Sequence, residues 1–254
     1  NFTMENTRLM LNAVASNTNR GMTLTGGDTL QVVKSNGVIS LTGQLTGSGK
    51  LVKTGPGQLN LSGSVANNYT GGTLVSGGTL GLGSLVMNNS GLGSGPISLE
   101  NGAKLIMFYS TGYGQSPNWN LTVPAGHTAT LVTSGRCDIN GSFNGGGTLN
   151  YYVSYVRTDL VASGANFTGT MNITTDADGG DFRITANANS FPKAQINLNN
   201  LVYMGAYASV GASGASSSTV VRLGSLSGVA GANVGAGTWF IGSDNRDAVF
   251  NGVI

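Results

Sequence analysis

Between Gly47 and Gly83 the chain repeats one small device, a strand too short to stand alone followed by a glycine turn. The run reads Gly47-Ser-Gly-Lys-Leu-Val-Lys-Thr-Gly-Pro-Gly-Gln-Leu-Asn-Leu-Ser-Gly63, then Asn68-Tyr-Thr-Gly-Gly-Thr-Leu-Val-Ser-Gly-Gly-Thr-Leu-Gly-Leu-Gly83. Each strand offers two or three aliphatic side chains to one face. Leu59 and Leu61 recur as Leu80 and Leu82, a period of about twenty residues, as expected of a solenoid. A unit of that size cannot bury its apolar face alone, so it must stack on its neighbours. The prediction is a stack of coils.

The same residues carry a family resemblance. Lys53, Thr54, Gly55, Gly57, Leu59, Leu61, Ser62 and Gly63, followed by Asn68, Tyr69, Thr70, Gly71, Gly72, Thr73, Gly78, Thr79 and Leu80, resemble the autotransporter-associated β-strand repeat. This repeat is found in passenger domains and large secreted proteins of Gram-negative bacteria. The resemblance covers about forty residues. It implies a right-handed parallel β-helix on an exported protein, secreted or at the cell surface. It implies no single activity, because such repeats are scaffolds beneath many functions.

Composition supports an all-β chain. Of 254 residues, 42 are glycine and only 9% are charged, so nearly every ten-residue window is interrupted where a helix would have to run. Short alternating runs of Leu, Val, Ile and Phe argue against disorder. A net charge of +2 from 12 basic and 10 acidic residues leaves no basic patch for nucleic acid. No run of 18 apolar residues is present to span a membrane. Residues 1–6 lack the pattern of a signal peptide, and Phe250-Asn-Gly-Val-Ile254 is strand-like without a polar cap. The expectation is one elongated, monomeric domain over 1–254, excerpted from a longer protein. Regular coils occupy 1–107, and coils with larger loops occupy 108–254. Thr148–Val156 reads as the longest strand, and the Ala/Gly/Ser-rich residues 205–218 read as a flexible excursion. Stacked Asn and Thr side chains are expected to form hydrogen-bonded ladders at the turns.

Candidate chemistry concentrates in few places. Cys137 is the only cysteine and His127 the only histidine. Alternation with Ile139 turns Cys137 inward, as a small buried hydrophobe rather than a nucleophile. Asp176, Asp178 and Asp181 surround a glycine turn and present oxygen ligands of the kind calcium takes, an expectation of at most one site. Those aspartates with Arg183, and with Arg157 and Asp159 nearby, are also the residue types of a polysaccharide lyase or glycosidase. Asp244 and Asp247 form a second acidic pair, with Arg246 placed to neutralise them. Tyr109, Tyr113 and Trp119 in a loop, with Tyr151 and Tyr155 on one face of a strand and Tyr152 on the other, suggest a stacking platform for sugar rings. The leading expectation is therefore a non-catalytic extracellular scaffold with a carbohydrate-binding or adhesive surface for a polysaccharide or surface glycan. A β-helical lyase or glycosidase and a purely structural stalk are the alternatives.

Overall fold

A computed structural model describes the chain apart from residues 84–90, 109–116, 135–136, 155–156, 177–179, 186–189, 201 and 210, and apart from the side chains of Phe108 and Cys137. The described residues contain strands and turns and no α-helix, and the strand pairs are parallel. Three sheets run along the axis, with 3, 12 and 11 strands. The smallest joins β1 (Phe2–Met4), β4 (Met22–Leu24) and β7 (Leu45–Gly47).

The 12-stranded sheet begins with β2 (Arg8–Leu11), β5 (Gly27–Val32), β8 (Lys50–Thr54), β10 (Thr73–Val75), β12 (Ile97–Leu99) and β14 (Asn118–Thr122). It continues through β16 (Cys137–Gly145), β18 (Arg157–Leu160), β21 (Asp181–Thr185), β23 (Tyr203–Tyr207) and β25 (Asn233–Val234), with β19 (Ser163–Phe167) beside β16. The 11-stranded sheet holds β3 (Ala15–Thr18), β6 (Val38–Leu41), β9 (Gln58–Leu61), β11 (Thr79–Leu82), β13 (Lys104–Phe108) and β15 (Thr128–Ser134). Its remaining strands are β17 (Thr148–Val153), β20 (Thr170–Thr175), β22 (Phe191–Leu198), β24 (Val220–Gly228) and β26 (Thr238–Ile241). Pairing each strand with the next coil, rather than with its chain neighbour, makes this a parallel β-helix.

Period-2 alternation decides which side chains enter it. In β9, Leu59 and Leu61 are buried while Gln58 and Asn60 are half-buried on the outer face. The predicted coil spacing is met residue for residue, with Leu59 beside Leu80 and Leu61 beside Leu82. One interior column runs Ile39, Leu59, Leu80, Leu105, Leu131, Tyr151, Ile173 and Leu198. Ile97 and Leu99 are buried with it. Aromatic side chains thicken the core farther along: Tyr151 meets Phe182 edge-on at 5.3 Å, and Phe143 lies 6.1 Å from Phe191.

Three expectations are corrected. Among the described residues the longest strands are β16 and β24, nine residues each, whereas β17 ends at Val153. Residues 205–207 of the expected excursion belong to strand β23. Ladders form chiefly on strand faces rather than at turns, because in-register parallel pairing places equal side chains side by side there. The Asn172 amide donates to Asn150 at 2.9 Å, and the Asn197 amide donates to Asn172 at 2.8 Å. Inside, Thr133 and Thr158 share a hydroxyl hydrogen bond of 2.8 Å across two sheets, so neither buried hydroxyl is left without a partner.

Candidate functional site

The outer face of the 11-stranded sheet carries an open groove of about 420 Å³, within the size range of small-ligand sites. Register builds it. Lys104, Thr130, Asn150 and Asn172 form one outward column, and Ile106, Val132, Tyr152 and Thr174 form the next. Lys104, Thr130, Val132, Asn150, Tyr152 and Thr174 line the groove. An apolar floor with one phenol ring thus lies beside a row of amide, hydroxyl and ammonium groups. Adjacent strands stand about 4.8 Å apart, so the two-strand step from Lys104 to Asn150 spans about 10 Å.

This groove is not the platform expected from sequence. Trp119 and Tyr151 are 5% and 0% exposed. Trp119 points inward from β14, and Tyr151 fills the interior column between Leu131 and Ile173. Neither ring has a free face for a sugar. Alternation sets Tyr151 and Tyr152 on opposite faces of β17, but it leaves open which face is interior. In a chain this poor in bulky side chains, the odd-numbered face of β17 fills the core, leaving Tyr152 outside. Tyr109, Tyr113 and Tyr155 lie outside the described residues.

The acidic residues are placed differently. Asp178 lies outside the described residues and Asp176 is half-buried. Asp181 is engaged by Arg183, whose Nη2 and Nε donate to it at 2.7 and 3.2 Å. Arg157 pairs with Asp159 at 3.2 Å, and Asp159 also faces Arg183 at 3.7 Å. Register causes this clustering, since β18 sets Arg157 against Asp181 and Asp159 against Arg183 on β21. Among the described residues no three His, Cys, Asp or Glu side chains converge as metal ligands. Arg246 neutralises Asp244 at 3.1 Å. The His127 ring accepts the Asn101 N–H through Nδ1 at 3.0 Å, so it serves a turn.

In sequence Lys53 is only a letter of the repeat motif. Lys53 points into the helix interior between Leu30 and Val75 and is wholly buried. Its Nζ donates to the carbonyls of Thr54, Gly55 and Gly77 at 2.9, 2.9 and 3.0 Å. All three ammonium donors are thereby used, and two successive coils are joined.

The family model of the passenger-associated-transport-repeat matches residues 51–82. The chain carries the autotransporter-associated repeat. Over 108 residues it is 36% identical to the Adhesin BmaC autotransporter of Brucella suis biovar 1 (strain 1330). Those residues are 42% of the chain, which spans 3% of that adhesin's length. No solved structure gives a significant match.

The geometry shows what the autotransporter-associated repeat's wording does. Gly55 and Gly78 take positive φ of 78° and 63°. A Cβ on Gly78 would sit 2.3 Å from the Gly55 carbonyl oxygen, so stacked turns of this repeat admit glycine alone there. Tyr69 is buried, with its hydroxyl 2.6 Å from that of Thr73. Asn67, one position before the matched Asn68, accepts the Leu45 N–H at 2.8 Å and donates to the Gly91 carbonyl at 2.9 Å. It therefore links three coils. A polar residue next to a turn is ordinary in sequence, which is why Asn67 gave no signal.

Proposed function

We propose that this chain is an adhesive segment of an extracellular, secreted or cell-surface passenger, and that it holds a polysaccharide or surface glycan on the outer face of the 11-stranded sheet. The observation that carries this reading is the groove: a tyrosine ring and valine side chain beside Asn150, Thr130 and Thr174. A sugar presents C–H groups on one face and hydroxyls at its edge, which suits a ring beside amides and hydroxyls. The adhesin relative and the repeat support the extracellular setting. A rigid parallel stack also suits adhesion, because its columns repeat at the strand spacing and hold polar groups at fixed intervals along a polymer.

Tyr152 is the ring to remove. Truncating a stacking ring costs about 1–3 kcal/mol by analogy with single-strand binders, so Tyr152→Ala is expected to weaken retention on immobilised polysaccharides about tenfold. The melting temperature should hold, since Tyr152 stands outside the interior column. Tyr151→Ala should instead lower the melting temperature. Equal retention by Tyr152→Ala and the native chain, across a glycan array that the native chain binds, would refute the groove as the contact surface.

A further inference from the structure

The charges of this molecule are few, yet Arg157, Asp159, Asp181 and Arg183 meet on the outer face of β18 and β21. They are covered. Asp159 is 1% exposed, although Thr158 and Leu160, not Asp159, belong to the interior. The cover is residues 211–219, the stretch leading into β24, built of Ala, Gly and Ser almost throughout. It is fastened by main-chain groups: the Gly211 N–H donates to Asp159 Oδ2 at 3.2 Å, and the Ala212 carbonyl accepts from Arg183 Nη1 at 2.9 Å. The strap rejoins the coil where the Ser216 N–H donates to the Ala206 carbonyl at 2.7 Å.

We propose that this face is a binding site for a neutral sugar with neighbouring hydroxyls, occupied in the closed state by the strap itself. The strap offers Asp159 one donor and Arg183 one acceptor from adjacent residues. Two vicinal hydroxyls offer the same pair, one donating to the carboxylate and the next accepting from the guanidinium. Asp159 Oδ1, 3.7 Å from Arg183 Nε, is buried without a hydrogen-bond partner, and a second sugar hydroxyl would donate to it. The Tyr207 ring, with the Arg183 guanidinium 4.3 Å from its centre, supplies the apolar wall that sugar C–H groups take.

The charge balance selects the ligand. Two arginines face two aspartates, and Asp138 stands beside Asp159 in register. No positive excess remains for a carboxylated or sulfated polymer. Small strap side chains make opening inexpensive, because little apolar area is exposed when the segment lifts. The strap then lowers the apparent affinity by the fraction of molecules that are closed.

Gly211→Pro tests this without touching the charged residues. Proline lacks the N–H that Asp159 accepts and cannot adopt the φ of 74° found at Gly211. Hydrogen exchange should report the strap released, and calorimetric titration with dextran, a neutral vicinal-diol polymer, should show at least tenfold tighter binding than the native chain. Adding Asp159→Asn to that variant should abolish the gain while hydrogen exchange in β20 and β22 confirms an intact stack. Tyr152→Ala should leave the gain unchanged, separating this site from the sheet groove. A released strap with no gain in dextran affinity would overturn the proposal, as would a strap that remains protected in Gly211→Pro.

Discussion

Leu61→Asp is expected to destabilise the stack by more than about 5 kcal/mol and to melt its central coils. Leu61 is 1% exposed and lies between Leu41 and Leu82 in consecutive coils. Losing a buried leucine costs about 2–5 kcal/mol through lost transfer energy and the cavity left behind. An unpaired carboxylate in the same dry column adds several more, even after it takes up a proton. Asn60→Asp, on the outer face of the same strand, is the control and should stay within about 0.5 kcal/mol. Each coil contacts only its neighbours, so the damage should be greatest over β6 to β13 in hydrogen exchange. Thermal melting of Leu61→Asp at the native temperature would contradict the interior column.

Lys53→Met should cost about 3 kcal/mol at pH 7, although methionine fills nearly the same space. It leaves the carbonyls of Thr54, Gly55 and Gly77 without their buried donor, and an orphaned buried polar group costs about 1–3 kcal/mol. The pH dependence identifies the cause. Burial pushes the Lys53 ammonium down to about 8 from 10.5, so between those values the unfolded chain holds a proton that the folded chain has released. Stability therefore rises with pH across that window, by at most roughly 3 kcal/mol. Burial raises the Tyr69 phenol above its ordinary value of 10.0. The folded chain then keeps a proton the unfolded chain loses, and stability falls above about pH 10. Urea denaturation should give a maximum a little above pH 10. Lys53→Met should remove the rising limb, and Tyr69→Phe should soften the falling one. A native profile flat from pH 7 to 10 would show that Lys53 titrates as an exposed amine.

Much of the architecture was legible because a parallel stack converts sequence period directly into spatial neighbourhood. Leu59 and Leu80 were paired by spacing alone, and the structure sets them side by side. The candidate sites were less legible, because function depends on the outer face and alternation leaves the choice of face open. Tyr151 and Tyr152 are adjacent letters with opposite fates. Lys53 illustrates the same ambiguity in reverse: a charged residue reads as outward, yet its stem fits an aliphatic column and its head finds three carbonyls. That outcome depends on the Gly77 carbonyl of the next coil, 24 residues away.

The amino-acid sequence by itself determined the class of object. Glycine turns excluded helices, short two-leucine strands required stacking, and the resemblance to the autotransporter-associated repeat implied that the stacking is parallel. Tertiary structure alone decided which polar groups meet. Asp159 and Arg183 are unremarkable letters until register lays β18 on β21 and the strap of residues 211–219 folds over them. Periodicity specifies where each strand lies along the axis, but a long connection has no period, and only packing determines the face it covers.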